Sequence, residues 1–196
     1  MEEQIINMPA VALRGLTILP GMIAHFDVSR ERSLRAIEEA MEQDQKIYLV
    51  TQKNVDREDP TQEDLYQMGI VADIKQVVRL QNDVVRILVD GISRAKLLGF
   101  TGCEKYLEAE ICYFDSNKDS LPEDLREAML LGVREAFHRY AAVIGKISKE
   151  LIRQIDQYED LEKLIDYVTN NLPVSYELKQ QVLEAEDIND RYQVIV

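Results

Sequence analysis

Histidine and cysteine are scarce in this chain. Only His25, His138, Cys103 and Cys112 occur in 196 residues. The two histidines lie far apart, there is no HExxH, and no cysteine stands at ligand spacing from either, so no zinc site is expected. His25 sits in an apolar run and reads as an edge-strand histidine. His138 lies off its helix's apolar stripe beside Arg134 and Arg139 and reads as solvated. Without a CxxC, the cysteines fit a reducing compartment as free thiols, although a hairpin could set them face to face. GxSxG is absent, and pairs such as Glu38-Glu39 and Glu159-Asp160 read as solvated helix faces. Gly145-Lys146-Ile147-Ser148 imitates the end of a phosphate loop. That motif needs a glycine where Tyr140 stands, and a strand before it. Nothing supports catalysis, and neither cofactor nor metal is expected on this chain.

Long apolar runs and basic excess are missing too. No stretch approaches the ~18 apolar residues of a membrane-spanning helix. The start, Met1-Glu2-Glu3-Gln4, is acidic where a secretory leader needs a basic start, so a cytoplasmic protein without membrane contact is expected. A net charge of −13 opposes nucleic-acid binding, which needs a basic footprint. Residues 1–115 carry 13 Lys/Arg against 20 Asp/Glu, and the remainder carries 10 against 16, so neither half hides a basic module.

Glycine divides what is there. Six of the eight glycines precede residue 115. In that first half Val11–Arg14, Thr17–Leu19 and Met22–Val28 are short apolar runs broken at Gly15 and Pro20-Gly21. Ser29 is placed to cap a helix near 30–44 with Leu34, Ile37 and Met41 on one face, followed by a strand within 46–53. Ile70, Ala72, Ile74, Val78 and Leu80 alternate with Asp73, Lys75 and Arg79. Val85, Ile87 and Val89 resume after a turn at Gln81-Asn82-Asp83. Leu107, Ala109, Ile111 and Tyr113 alternate with Glu108 and Glu110. Such patterns describe half-buried antiparallel strands. The fold class expected is α+β: a mostly antiparallel β pseudo-barrel with one helix over 1–115, then an α-helical bundle over 116–196, with a polar linker at 115–119.

Helical spacing governs the second half. Ser120-Leu121-Pro122-Glu123 reads as a capping box, and Leu125, Met129, Val133, Phe137, Tyr140 and Ile144 form a stripe. Ile147, Leu151 and Ile155 mark a shorter helix. Leu161, Leu164, Ile165, Val168 and Leu172 mark a third. Ser175 caps a fourth, with Leu178, Val182 and Ala185 inward. Ile188, Tyr192 and Ile195 restart a pattern that stops on three apolar residues, which reads as a fragment of a longer chain.

Binding remains. Leu19, Pro20, Met22 and Ile23 set apolar side chains around a turn, where adaptable methionine suits a surface for many sequences. A contact site for unfolded chains requires them exposed; a buried β-corner requires the reverse. Arg14 and Arg94 are expected to satisfy carbonyls or a carboxylate within the β half.

Met8-Pro9, Leu13-Arg14, Pro20-Gly21-Met22, Val28-Ser29-Arg30, Asp59-Pro60, Asp64-Leu65-Tyr66, Gly69 and Val89-Asp90-Gly91-Ile92-Ser93-Arg94 form an ordered series. It resembles the N-terminal domain of the Lon family of ATP-dependent proteases, closely over 8–113 and more loosely beyond. His25 stands where that family usually has proline, and Ser29 where it has glycine. The resemblance implies a PUA-like β domain that recognises damaged or unfolded proteins. It implies a parent enzyme that is a cytosolic homohexamer using ATP and Mg, cleaving with a serine–lysine dyad outside this chain. A stand-alone substrate-binding-like module is one alternative. A PUA-like RNA-binding protein is another, opposed by the acidic charge.

Overall fold

The period-two pattern of the first half becomes six strands in one mixed sheet. The computed structural model describes residues 4–114 and 121–196. Two units divide the chain, Met1–Asp115 and Ser116–Val196. In the first, β1 (Ile5–Leu13) and β2 (Ile23–Val28) precede helix α1 (Glu31–Glu42). β3 (Lys46–Thr51), β4 (Met68–Arg79), β5 (Val85–Phe100) and β6 (Glu108–Tyr113) follow. The strand order is β2-β5-β4-β3-β1-β6, and β5 pairs with β6 as well. The ladders of β1, β3, β4, β5 and β6 therefore close on themselves, with β2 flanking β5. β1 runs parallel to β3, whereas the other pairs are antiparallel.

Both faces of the central strands are buried, which explains why they read as nearly continuous apolar runs. Val11, Leu13, Ile47, Leu49, Ile70, Ala72, Ile87 and Val89 pack with Ala36, Ile37 and Ala40 of α1. Met8, Ala10, Ala12, Tyr48, Val50, Val71, Ala95, Leu97, Ala109 and Ile111 form the second cluster. There Tyr48 donates to the Ala95 carbonyl at 3.0 Å, and burial pushes its phenol far above the ordinary value.

Several sequence expectations shift in detail. Arg30, not Ser29, is the N-cap of α1 and makes no side-chain cap bond. Ser33, Ala36, Ile37 and Ala40 form the buried stripe of α1, leaving Met41 exposed. Register shifts interrupt the β4–β5 ladder at Val71/Ala72 and Ile74/Gln76. Past the second, alternation changes phase: Val77 packs on the core while Val78, expected inward, is exposed, as are Leu80 and Tyr113. Asn82 and Asp83 take left-handed conformations at φ 60 and 56, closing the expected turn. Neither cysteine forms a disulfide; Cys112 is buried and Cys103 half-buried.

The second unit contains α2 (Glu123–Ile144), α3 (Lys149–Gln157), α4 (Leu161–Asn171), α5 (Tyr176–Glu184) and α6 (Ile188–Ile195). Pro122 is the N-cap of α2; Ser120, the first residue of the expected capping box, lies outside the described residues, as does the 115–119 linker. Met129, Val133, Phe137 and Ala141 are the buried stripe of α2, while Leu125 and Ile144 are exposed. α4 touches each of the other four helices and buries Leu161, Leu164, Ile165 and Val168. Side chains cap four starts: Ser148 accepts from Leu151 N, Asp160 from Lys163 N, Ser175 from Leu178 N, and Asp187 from Asn189 N. His138 is exposed, with Nε2 at 2.8 Å from Asp156 Oδ1.

Candidate functional site

The segment joining β1 to β2 is fastened from below. Thr51 donates its hydroxyl to the Leu16 carbonyl at 2.8 Å, and the Thr17 hydroxyl lies 3.0 Å from Thr51 Oγ1. Ile18 and Leu19 then enter the core. Pro20-Gly21 turns the chain back: Met22 N donates to Leu19 O at 3.1 Å, and Gly21 takes φ +74, a conformation that favours glycine. Gly21 N donates to Gly91 O at 2.8 Å, and Gly91 N to Met22 O at 2.9 Å. Gly91 itself is required by crowding, because a Cβ there would strike the Leu19 carbonyl oxygen.

This corner separates the four sequence candidates. Leu19 is 0% exposed, so the structure corrects its assignment as a contact residue. A side chain sealed beneath a turn cannot touch a partner while the unit stays folded. Pro20 is half-buried; Met22 is half-buried and packs against the α1-side core. Ile23 stands 67% exposed. Beside it is a residue that sequence reasoning missed. Ile92 is 43% exposed and follows Gly91 at the register shift of β5, one residue beyond the backbone bonds to Gly21 and Met22. Its available signal was Gly91, since a glycine inside a strand marks a bulge or a close approach.

Charged side chains lie on the strands and connections of the same unit. Asp90, the cross-strand partner of Ile23, lies 3.9 Å from Lys75, which also reaches Asp73 at 3.4 Å. Lys46 donates to Asp73 at 2.8 Å; that bond holds the Asp73 carboxyl below its usual range and raises the lysine. Arg86 grips Asp27 with two bonds of 2.7 and 2.9 Å, lowering the Asp27 pKa in the same way. On the other side, Arg30 donates to Gln52 Oε1 at 2.6 Å and to the carbonyls of Ala12 and Glu58 at 3.3 Å each. Burial, and then the neighbouring Arg14, hold Arg30 below the usual arginine range. Arg14 reaches the carbonyls of Arg57 and Glu58 from an exposed position, whereas Arg94 is buried. Together Arg14, Arg30 and Gln52 pin the 53–60 connection. This arrangement positions backbone and presents a surface; it assembles no nucleophile–base pair. Among the described residues no group of three or more His, Cys, Asp or Glu is placed to hold a metal ion.

A family model described as the ATP-dependent protease La (LON) substrate-binding domain matches residues 7–196. The chain belongs to this family. The Lon protease of Lachnoclostridium phytofermentans is 37% identical over 193 residues, 98% of this chain and 24% of that protein. Lon protease 1 of Bacillus subtilis is 32% identical over 197 residues, 100% of this chain and 25% of that protein. The LON substrate-binding domain chain thus spans about a quarter of the length of these relatives. The solved N-terminal domain of Mycobacterium avium complex Lon protease superposes with a TM-score of 0.79 at 19% identity, covering 97% of this chain and 96% of that one. A Lon N-terminal domain protein from Xanthomonas campestris gives 0.63 at 13% identity, with 96% and 95% covered. These two likenesses establish the fold of the LON substrate-binding domain here. Among the described residues, no helix is long and apolar enough to cross a membrane.

Proposed function

We propose that this chain is the substrate-recognition part of a cytoplasmic, ATP-dependent Lon-type serine protease, and that Ile23 and Ile92, with Pro20 and Met22 at their margin, contact unfolded or damaged proteins. In this reading the β unit is a PUA-like pseudo-barrel and the five helices form a bundle. ATP and Mg bind to a module beyond this chain, and the parent works as a homohexamer. The exposed isoleucine pair at a rigid corner carries the reading, supported by the family match over residues 7–196. Exposed apolar surface contributes about 25 cal/mol per Å² buried, less ordering costs, so one copy holds an unfolded chain only weakly. Several copies in a ring would supply useful avidity.

The test replaces Ile23 and Ile92 with serine and measures capture of a permanently unfolded protein beside thermal unfolding. Capture is expected to fall about tenfold, roughly 1.4 kcal/mol, with little change in melting temperature. Undiminished capture would sink the assignment. Met22→Ser is a poorer probe, because Met22 also packs on the core and its loss costs stability.

A further inference from the structure

Strand β2 has an open side. It hydrogen-bonds along one edge to β5, pairing Ala24 with Val89, Phe26 with Ile87 and Val28 with Val85. The Gly91–Met22 bond fixes the phase of this ladder. Ala24, Phe26 and Val28 direct their amides and carbonyls to β5, so those of Ile23, His25 and Asp27 point the other way. Among the described residues, none of these outward backbone groups has a hydrogen-bond partner. Their side chains are exposed as well.

Folded proteins blunt such edges with lysine, proline or bulges. The β2 sequence, Ile-Ala-His-Phe-Asp-Val, has neither lysine nor proline, and its one charge, Asp27, is engaged by Arg86. A cavity of about 200 Å³ lies beside the edge, lined by Leu16, Phe26 and Val28 together with the charged Arg14, Asp27 and Arg30. An added strand would project alternate side chains toward it.

We infer that the free edge of β2 takes an extended stretch of unfolded polypeptide as an additional strand. This rests on the proposed function and says how the substrate is held: through main-chain hydrogen bonds that every sequence can make, with Ile23 adding apolar contact. The occupant is cationic rather than acidic, because the β unit carries 13 Lys/Arg against 20 Asp/Glu and the chain a net charge of −13.

The experiment uses the full chain and a short peptide alternating valine with lysine. Hydrogen exchange is read amide by amide by NMR. With peptide bound, the amides of Ile23, His25 and Asp27 are expected to slow by about tenfold or more, while those of Ala24, Phe26 and Val28 keep their rates. The same peptide N-methylated at consecutive central residues is expected to bind about tenfold more weakly, since its side chains are intact but its donors are gone. A glutamate-for-lysine version binds more weakly, with a gap that narrows as salt rises. His25→Pro removes one outward donor without touching the β5 ladder, and is expected to weaken the peptide at an unchanged melting temperature. If that variant misfolds, the N-methylated peptide on the unaltered chain decides.

Binding without protection of the three amides overturns the inference, as does equal binding of the N-methylated peptide. Protection that appears without peptide and grows with protein concentration overturns it too, showing a second copy on the edge. Equal affinity for the glutamate peptide overturns the charge preference. Failure of the peptide to bind, with capture still sensitive to Ile23 and Ile92, refutes strand addition and leaves the proposed function standing. Loss of both refutes that function.

Discussion

A methyl group at Gly91 would collide with the Leu19 carbonyl and press on Ile18. Gly91→Ala is therefore expected to cost about 1–3 kcal/mol, read as a lower urea midpoint at unchanged slope. Leu19→Ala belongs with it, at about 2–5 kcal/mol, because Leu19 is a core residue beneath the turn. Ile92→Ser, one position along the chain, should cost almost nothing. This contrast between neighbours follows from a single backbone approach, in which the turn's carbonyl occupies the space a side chain at 91 would need. A stable Gly91→Ala variant would mean that the Pro20–Gly21 turn moves freely, and the rigid presentation of Ile23 would lose its basis.

Between elements, cross-strand ion pairs tie β2 to β5 through Asp27–Arg86 and β3 to β4 through Asp73–Lys46. Both aspartates have folded pKa values below the ordinary 3.8. Their contribution is thus fully present above that value and is lost as pH falls through the lowered folded value. Asp73→Asn is expected to lower the melting temperature at pH 7 and to differ less from the parent chain as acid is added below about pH 4. A difference that stays constant to pH 2 would show that Asp73 acts through packing instead. At this scale the sequence was legible wherever one period held. The Val85, Ile87, Val89 alternation and the Ser175 cap depend only on near neighbours. Val78, Leu19 and Ile92 were not legible, for a shared reason. A register shift in β4, a turn tucked under Gly91 and a register shift in β5 each depend on a partner strand that local spacing does not encode. Met41 failed more simply: α1 turns its Ala36–Ala40 stripe to the sheet, and the small alanines let it sit close.

For the whole chain, charge sets the terms of encounter. A net −13 shared by both halves repels acidic polypeptides at low salt, and the repulsion fades as the Debye length shrinks to about 8 Å at physiological ionic strength. Chemistry is expected to be absent: the purified chain should neither turn over ATP nor cleave casein-like substrates. ATP hydrolysis that follows the protein through homogeneity would contradict the proposed division of labour.

The closed ladder of the β unit also dictates an order of events during synthesis. β1 lies between β3 and β6, with Ile5–Pro9 paired to Glu108–Cys112. β1 leaves the ribosome before β3 and β6 and therefore lacks one of its two neighbours until β6 is made. At about 5–20 residues per second that wait lasts on the order of 5–20 s. Throughout it, half of an apolar strand remains unpaired. A chain proposed to recognise unfolded polypeptide is thus itself partly unpaired during that interval, and nascent chains halted short of β6 should depend on chaperones more than chains that contain it.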